Sequence, residues 1–482
     1  MIFSKQKHDR VINNQNTQSG NPILPFDELI PDVEARVYTD KNGEERVYLY
    51  GSCDDFGSKT WCSYHYKVFS SPVTDLKCWT DHGVSFASRK GENYKWQGKD
   101  TAGISWCRNR LFAPDSLKIG DLYYLVTCSQ GGKCLGMAFS KTPQGPFSPA
   151  KKILYDDGGE TSSIDPALYA EEAADGLKVY LLWGQRPSFN ARGLLGAELI
   201  KDKDGLYTVV KKETERVLFT GEGDEFGFYE GASIRKINGR YYILYPSDKG
   251  KGVHTMSYAV SDYPLGPYKF GGNILENDGC DLRSGNNHGS FCQINNQWYL
   301  FYHRGFNNGD IQRRVCVEKI YFDENGKIGD ENGNSVKMTN HGFNGPLDPY
   351  QTVSAVYATH VRVDGFPSSC YLTRNRKKIH ILTDIHNGNC VEFRDFDFKN
   401  GAENIKFSAA LCAKQNGSID VILDNPHSEP ICNLPVQKNR FSGFTEYSTP
   451  VSVPSGIHTV YLHFNVNGNK ALGSFVSFKF CK

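Results

Sequence analysis

The chain of 482 residues has no apolar run of about 18 residues, so no segment is predicted to span a membrane. Its N-terminal stretch lacks the apolar core of a secretory signal. We therefore expect a cytoplasmic protein, or a secreted one whose signal has been removed. The net charge is +1 and no basic block stands out, so neither nucleic acid nor a membrane is an expected partner.

Metal-binding cysteine motifs are also missing. The sequence holds 14 cysteines, but none lie at CxxC or Cys/His zinc spacing. Four of them, Cys128, Cys292, Cys316 and Cys412, fall inside predicted strands, where a free thiol behaves as a small hydrophobic side chain. We expect mainly reduced core cysteines, with a few bridged if the protein is secreted.

The helical period is almost absent, and glycine and aromatic residues are abundant. The chain has 48 glycines and 13% aromatic residues, which indicates many tight turns between β-strands. Most of these aromatic rings will fill β cores. A flat ring also stacks on the apolar face of a sugar, so the composition is compatible with carbohydrate binding.

One strand signature occurs five times. It reads RVYLYGS (46–52), DLYYLVTCS (121–129), KVYLLWG (178–184), RYYILYPS (240–247) and QWYLFYHR (297–304). The central tyrosines, Tyr48, Tyr124, Tyr180, Tyr242 and Tyr299, lie about 55–75 residues apart, a spacing typical of repeated β units. Five such units predict a five-bladed β-propeller.

The repeats stop near residue 340, and the chain changes character after a segment rich in Gly, Pro and Asn. We predict a disordered segment at 1–20, a propeller domain at 21–340, a linker at 341–351 and a second domain at 352–482. The strands of the last segment are longer and alternate between apolar and polar residues. That pattern favours a β-sandwich of the jelly-roll kind, so the fold class is all-β.

An ionisable residue recurs about ten to sixteen residues before each tyrosine anchor: Asp32, Asp115, Asp165, Glu230 and His288. If the anchors lie in the second strand of each blade, Asp32, Asp165 and Glu230 converge at one end of the propeller channel. A single carboxylate there would most often be a turn or strand-cap residue. Three carboxylates at equivalent positions repel one another, which favours a chemical task or a bound cation.

Glycoside hydrolysis is the chemistry that suits these residues, because it needs one protonated and one ionised carboxyl group. Glu230 lies between aromatic and small residues, where burial favours the neutral acid. Asp32 would be the general base and Asp165 the modulator of the acid's pKa. Glu34 is a rival for the base, whereas Asp54 and Asp55 are interpreted as turn residues.

Two basic residues are candidates for substrate contacts. His288 would lie in the channel, where it could position water, substrate or a hydrated cation, although a lone histidine is most often a hydrogen-bonded core residue. Arg304 could bind sugar hydroxyls, and a structural ion pair is an equal alternative.

Six motifs in order resemble glycoside hydrolase family 43 over about residues 22–340. They are IPDVEARVY (30–38), NRLFAPDSLKIGDLYYL (109–125), SSIDPALY (162–169), YEGASIRKINGRYYILYPS (229–247), SDYPLGPYKFGG (261–272) and NNHGSFCQINNQWYLFYHR (286–304). The resemblance implies a five-bladed propeller and an inverting mechanism. It places the base, modulator and acid on Asp32, Asp165 and Glu230.

The same resemblance implies that no cofactor is required for the chemistry and that calcium can occupy the channel near His288, held largely through water. Many relatives have a tryptophan where this chain has Phe112, so sugar stacking at that substrate position is expected to differ.

The C-terminal region resembles a family 6 carbohydrate-binding module, in stretches 391–411, 417–425, 443–464 and 474–480. Such modules usually carry a tryptophan where this chain has Phe444. Sugar binding by this domain is therefore left open beside a role in supporting the propeller or completing the rim of its active site.

Together, the two resemblances imply an exo-acting α-L-arabinofuranosidase that acts on plant cell-wall arabinoxylan or its oligosaccharides. A β-xylosidase is the alternative, a β-galactofuranosidase the third reading, and a carbohydrate-binding protein the non-enzyme alternative. The expected state is a monomer or weak oligomer. The loops at 51–62, 84–108, 185–193 and 305–312 would select the sugar.

Overall fold

The computed structural model describes residues 10–13, 20–96, 99–101, 103–248, 254–276, 287–305, 312–377, 379–439 and 443–481. Within these ranges the chain forms strands and four short 3-10 turns, at Glu92–Tyr94, Pro187–Phe189, Lys212–Thr214 and Ala355–Tyr357. None of the helical segments described has the length and apolar character needed to cross a bilayer.

Five sheets, antiparallel except for one parallel strand pair in the third, follow one another along the first two thirds of the chain. Blade one contains β1 (Arg10–Asn13), β2 (Glu34–Thr39), β3 (Glu45–Gly51), β4 (His65–Pro72) and β5 (Cys78–Ala87). A two-stranded hairpin, β6 (Lys95–Trp96) and β7 (Lys99–Asp100), precedes blade two, which contains β8 (Asp115–Ile119), β9 (Leu122–Thr127), β10 (Gly136–Ser140) and β11 (Ala150–Lys152).

Blade three contains β12 (Leu154–Tyr155), β13 (Ala167–Ala173), β14 (Gly176–Gln185), β15 (Gly193–Lys201), β16 (Tyr207–Val210) and β17 (Arg216–Phe219). Blade four contains β18 (Ser233–Ile237), β19 (Arg240–Asp248), β20 (His254–Ser261) and β21 (Lys269–Glu276). Blade five contains β22 (Gly289–Ile294), β23 (Gln297–Gly305), β24 (Arg313–Phe322) and β25 (Ile328–Gly329).

The five blades close into a ring, which confirms the predicted five-bladed propeller. The innermost strands contact each other in the order β2, β8, β13, β18 and β22, and β22 returns to β2. All five tyrosine anchors lie in the second strand of their blade, β3, β9, β14, β19 and β23. The residues just before each innermost strand therefore meet at one end of the channel.

The C-terminal region is a β-sandwich of ten strands: β26 (Val353–Ser354), β27 (Tyr371–Arg374), β28 (His380–Thr383), β29 (Cys390–Asp397), β30 (Ala402–Ala413), β31 (Gly417–Leu423), β32 (Cys432–Val436), β33 (Thr445–Val453), β34 (Ile457–Val466) and β35 (Gly473–Cys481). One sheet has the order β27-β28-β35-β30-β33, with β26 beside β35, and the other has the order β29-β34-β31-β32.

A continuous apolar core joins the sandwich to the propeller. Leu244 and Leu300 of blades four and five belong to the same buried cluster as Phe393 and Phe478 of the sandwich. The segment predicted as a linker takes part in this packing, because Leu347 within it is buried in the same cluster. It is a packed connection, and the exact domain limits remain predictions.

Most of the predicted disordered segment at 1–20 lies outside the described residues. Arg10–Asn13 differs from that prediction, because β1 pairs in antiparallel register with β5. Two β-branched residues in this stretch, Val11 and Ile12, favour a strand at the open edge of β5. All thirteen cysteines in the described ranges are free, as expected for reduced core residues, whereas Cys280 lies outside those ranges.

Candidate active site

The predicted carboxylates lie where the chain turns into an innermost strand. Asp32 precedes β2, Asp165 precedes β13 and Glu230 precedes β18. The backbone is left-handed at Asp32 (φ 57°), at Asp165 (φ 53°) and at Gly231 (φ 64°) next to the acid. This conformation is uncommon for residues other than glycine, although aspartate adopts it more readily than most.

Asp32 is buried and held by a guanidinium. Arg313 Nη1 donates to Asp32 Oδ1 at 2.9 Å, and the backbone N–H of Asp32 donates to His303 Nδ1 at 3.1 Å. Burial raises the pKa of Asp32, but the charge of Arg313 opposes it, and the pKa lies below its usual value. The Asp32 carboxyl is therefore ionised at neutral pH, as a general base must be.

Arg313 is shared between two carboxylates. Its Nε and Nη2 donate to Asp54 Oδ2 and Oδ1 at 3.0 and 2.9 Å, while Nη1 binds Asp32. The guanidinium also lies 4.8 Å from the ring centroid of Trp61, whose side chain is 37% exposed. Asp54 is thus a buried anchor of the site, which corrects its interpretation as a turn residue.

Asp165 is 5% exposed and packs against a cysteine. Its backbone N–H donates to Cys128 Sγ at 3.2 Å. Burial raises the pKa of Asp165 well above its usual value, and the charges of Glu230 and Asp32 raise it further. Cys128, expected to be a simple core residue, therefore also positions this carboxylate.

Glu230 is half-buried at the channel mouth, and its Oε2 accepts a hydrogen bond from Gln185 Nε2 at 2.9 Å. Burial raises its pKa, the Gln185 hydrogen bond opposes that shift, and the charge of Asp32 adds to it. The net pKa lies above the usual value. A lowered pKa at Asp32 and a raised pKa at Glu230 are what acid–base catalysis by paired carboxyl groups needs.

His288 lies between the base and the acid. Its Nδ1 is 3.9 Å from Asp32 Oδ1, and a side chain at Gly231 would meet its ring at 2.7 Å. Burial lowers the pKa of His288, so the ring is neutral at neutral pH. It can donate or accept a hydrogen bond from substrate or water there.

The donors around His288 do not fit direct calcium coordination. Calcium takes about six to eight oxygen ligands. The nearby Asp32 Oδ1 is already bound by Arg313, and no group of three or more His, Cys, Asp or Glu side chains within the described ranges could hold a metal. A calcium ion held through water remains a prediction, and no chemical step depends on it.

Arg304 lies away from the channel. Strand alternation in β23 directs His303 toward Asp32 and its neighbour Arg304 to the opposite face, where Nη2 contacts Asn340 Oδ1 at 3.5 Å. Arg304 is 2% exposed. This placement corrects its assignment as a substrate ligand and favours the structural alternative. Phe112, by contrast, is half-buried and lines a cavity beside the site.

Two further acidic residues are neutralised by arginines. Asp115 accepts two hydrogen bonds from Arg36 Nη2 at 2.9 and 2.8 Å, and Glu34 accepts one from Arg235 Nη2 at 2.7 Å. Burial raises the pKa of Asp115 to about 6 against the opposing charge of Arg36. The pairing of Glu34 with Arg235 removes it as a rival for the base.

The sequence reasoning missed Arg313, His303 and Gln185. A signal existed for Arg313, because two arginines begin strand β24 directly before its apolar run Val315–Val317. His303 could have been found by alternation from Tyr299 in the anchor strand. Gln185 ends an anchor strand, but nothing in its neighbours marks it.

Comparison with known proteins agrees with this geometry. The sequence model of glycosyl hydrolases family 43 matches residues 20–328, and that of carbohydrate binding module family 6 matches residues 369–482. A xylosidase/arabinosidase of Thermoclostridium stercorarium is 29% identical and aligns with 95% of this chain and 98% of its own. An arabinoxylan arabinofuranohydrolase of Paenibacillus polymyxa is 26% identical, covering 94% and 72%.

Among solved structures, a family 43 arabinoxylan arabinofuranohydrolase from Bacillus subtilis in complex with cellotetraose has a TM-score of 0.50 at 23% identity, covering 96% of this chain and 97% of that one. This likeness supports the fold. The family match extends over more than half of the sequence and includes all three carboxylates. The chain belongs to glycosyl hydrolases family 43 and is a glycoside hydrolase with a C-terminal family 6 carbohydrate-binding module.

Proposed function

We propose that the enzyme removes terminal α-L-arabinofuranosyl groups from arabinoxylan or its oligosaccharides by an inverting mechanism. The observation that supports this chemistry is that three neighbouring carboxyl groups have pKa values shifted in opposite directions. The pKa is lowered at Asp32 and raised at Asp165 and Glu230. The relatives named arabinoxylan arabinofuranohydrolase support the choice of sugar.

In this mechanism Asp32 is the general base. It takes a proton from a water molecule, which attacks the anomeric carbon as the bond to the leaving oxygen breaks. Arg313 keeps the carboxylate ionised and fixed before the attack. When Asp32 becomes protonated, its attraction to Arg313 is lost. The Arg313 guanidinium therefore also favours return of the proton to solvent after product release.

Glu230 delivers the proton to the leaving oxygen. Asp165 is almost fully buried, whereas Glu230 is half-buried at the mouth and can reach the substrate. Burial first, and then the charge of Glu230, raise the pKa of Asp165, so the Asp165–Glu230 pair holds a proton at higher pH than an isolated carboxyl would. Asp165 thus acts as the modulator that keeps the acid protonated.

A β-xyloside is the second candidate substrate, because relatives over most of the chain are named xylosidase/arabinosidase. A β-galactofuranoside is the third, supported by a relative of that name from Aspergillus niger at 27% identity. A purely carbohydrate-binding role does not need carboxyl groups with separated pKa values. Plant cell-wall polysaccharide is accordingly the proposed partner.

The sandwich is proposed to contribute to binding of the polymer. Its Phe444 is 40% exposed at the position where related modules carry a stacking tryptophan. A phenylalanine presents a smaller stacking face, so we expect weak binding. Affinity electrophoresis of the whole protein in xylan, with Phe444→Ala beside wild type, measures this contribution.

The acid assignment is tested by Glu230→Gln. On an arabinofuranosylated xylo-oligosaccharide, kcat should fall by about 10²–10⁴-fold, because the leaving sugar oxygen then departs unprotonated. On p-nitrophenyl α-L-arabinofuranoside the loss should be smaller, since nitrophenolate leaves without protonation. Liberated arabinose and nitrophenol are the readouts.

Glu225→Gln is the matched control, because Glu225 is an exposed carboxylate in the same loop. It should behave as wild type. A wild-type enzyme that hydrolyses a β-xyloside but no arabinofuranoside would replace the first candidate by the second. Full oligosaccharide activity in Glu230→Gln would remove Glu230 from the acid role.

A further inference from the structure

A cavity of about 520 Å³ lies between blades two and three, beside the acid. Its lining includes Phe112, Ser163, Gln185 and Phe189. The volume falls within the range of about 300–1,000 Å³ typical of small-molecule sites. The three carboxylates themselves do not line it, so it adjoins the catalytic centre as a separate compartment.

The cavity lies on the acid's side of the centre. Gln185 lines it and donates to Glu230 Oε2 at 2.9 Å, and Ser163 precedes Asp165 by two residues. Neither Arg313 nor His303, which hold the base, lines it. The leaving oxygen must lie next to the acid, so the leaving group extends toward this cavity.

Phe189 presents a fixed aromatic surface at this cavity. Its ring packs edge-on against Tyr229 at a centroid distance of 5.3 Å, and the Arg186 guanidinium lies 5.4 Å from its centroid. Arg186 is itself fixed by Asp248 at 3.0 Å. Even so, Phe189 remains 43% exposed. A large aromatic ring that is both supported and exposed is suited to stacking on the apolar face of a pyranose.

Ser163 also lines this cavity. Its backbone φ of 137° is a strained conformation for a serine, fixed by donation of its N–H to Gly132 O at 3.0 Å. Its buried hydroxyl has no hydrogen-bond partner within the described part of the chain. Buried hydroxyl groups are rarely left without a partner, and a sugar hydroxyl would supply one.

We propose that this cavity is the leaving-group subsite and binds a pyranosyl unit of the polysaccharide main chain, with Phe189 as the stacking residue and the Ser163 hydroxyl as a polar contact. This inference rests on the proposed function for the identity of the glycosyl group removed. The inference goes beyond the proposed function because it assigns the residues that select the group to which the removed sugar is attached.

The test compares two substrates that differ only in the leaving group. Phe189→Ala should lower kcat/KM for an arabinofuranosylated xylo-oligosaccharide about three- to tenfold more than for p-nitrophenyl α-L-arabinofuranoside, as expected for loss of one aromatic contact. It should also weaken inhibition of nitrophenyl hydrolysis by xylotriose. Ser163→Ala should shift both quantities in the same direction by a smaller factor.

Tyr263→Ala is the matched control, since Tyr263 is 65% exposed and does not line the cavity. It should change neither ratio. Equal losses on both substrates in Phe189→Ala, or unchanged xylotriose inhibition, would overturn the subsite. If the enzyme cleaves xylosides and not arabinofuranosides, the proposed function fails. The subsite is then tested by the loss of kcat/KM in Phe189→Ala on xylotriose compared with the loss on p-nitrophenyl β-xyloside.

Discussion

At the scale of single residues, the site depends on how one arginine divides its hydrogen bonds. Arg313 binds Asp54 through two nitrogens and Asp32 through the third, and all three side chains are buried. Burial alone would favour a protonated, inactive base. The arginine reverses that preference, so ionisation of Asp32 depends on a residue that need not touch the substrate.

Replacing Arg313 should move the acidic limb of the pH profile. In wild type, kcat/KM falls as the pH drops through the pKa of Asp32, which lies below its usual value of 3.8. In Arg313→Met the burial effect is no longer offset, so this limb should shift above 3.8. The pH dependence of kcat/KM on the nitrophenyl substrate measures the shift.

Arg313→Lys is the conservative companion, because it keeps the positive charge and loses the planar guanidinium that binds both carboxylates. It should shift the limb less than Arg313→Met. Removing one partner of a buried ion pair costs about 3–5 kcal/mol of stability. Arg313→Lys keeps the charge, so it provides a second variant for the test if Arg313→Met does not fold. An acidic limb that stays in place in both folded variants would contradict the role of Arg313.

The sequence predicted the three carboxylates but not the residues that hold them. The carboxylates recur at a nearly constant offset from the tyrosine anchors, because each innermost strand precedes its second strand by one hairpin. Arg313 carries no such regularity. It lies 281 residues from Asp32 and 259 from Asp54, and only closure of the ring brings them together.

At the scale of strands, the start of each innermost strand is the functional unit. A left-handed residue turns the chain before β2, β13 and β18; at β2 and β13 it is the carboxylate itself, Asp32 or Asp165, and at β18 it is the residue after Glu230. At β18 this residue is Gly231, whose Cα faces the ring of His288. The geometry of the strand start therefore couples the acid to the histidine.

Gly231→Ala tests that coupling. The new methyl group would lie 2.7 Å from the His288 ring, so the ring or the strand start must move. We expect a loss of kcat/KM larger than the loss of stability accounts for. Urea unfolding and kinetics on the same preparation separate the two effects.

Gly223→Ala is the matched control. Gly223 has a left-handed φ of 74° and no atom within 4 Å of an added methyl. Both variants should lose about 1–2 kcal/mol from backbone strain, and only Gly231→Ala should lose additional activity. Equal kinetics in the two variants would refute the coupling through His288.

Strand register also explains the incorrect assignment of Arg304. His303 and Arg304 are adjacent in sequence, and a strand places them on opposite faces. The anchor motif ends in both residues and does not show which face meets the channel. The pairing of Arg304 with Arg314, and of His303 with Val315, fixes this only once the sheet is formed.

At the scale of the whole molecule, the sandwich contacts the propeller beside the loop that carries Asp54. Its β27–β28 hairpin contacts the propeller through Arg374 and His380, which bind Asp27 at 2.7 and 2.8 Å. The Arg374 guanidinium also lies 4.6 Å from the ring centroid of Phe56. Phe56 belongs to loop 51–62, the loop that carries Asp54.

Arg374→Ala should therefore affect both stability and catalysis. The pair is partly exposed, so its loss should cost about 1 kcal/mol or less. Loosening of loop 51–62 should lower kcat/KM by up to about fivefold, the rate equivalent of ~1 kcal/mol. Lys377→Ala, an exposed residue of the same hairpin, should leave both unchanged.

The extent of this contact was not predictable from sequence. The change from short repeated strands to longer alternating strands indicated a second domain, but a composition shift carries no information on packing. The shared core instead predicts that thermal unfolding of the two parts is one transition.

The central claim is that Asp32, Asp165 and Glu230 hydrolyse a terminal arabinofuranoside with inversion. Proton NMR of an arabinofuranosylated xylo-oligosaccharide, followed from the first minutes after enzyme addition, tests it most directly. The account predicts that the first arabinose released is the β-anomer, which then equilibrates with the α-anomer. Initial release of the α-anomer, or no release of arabinose, would contradict it.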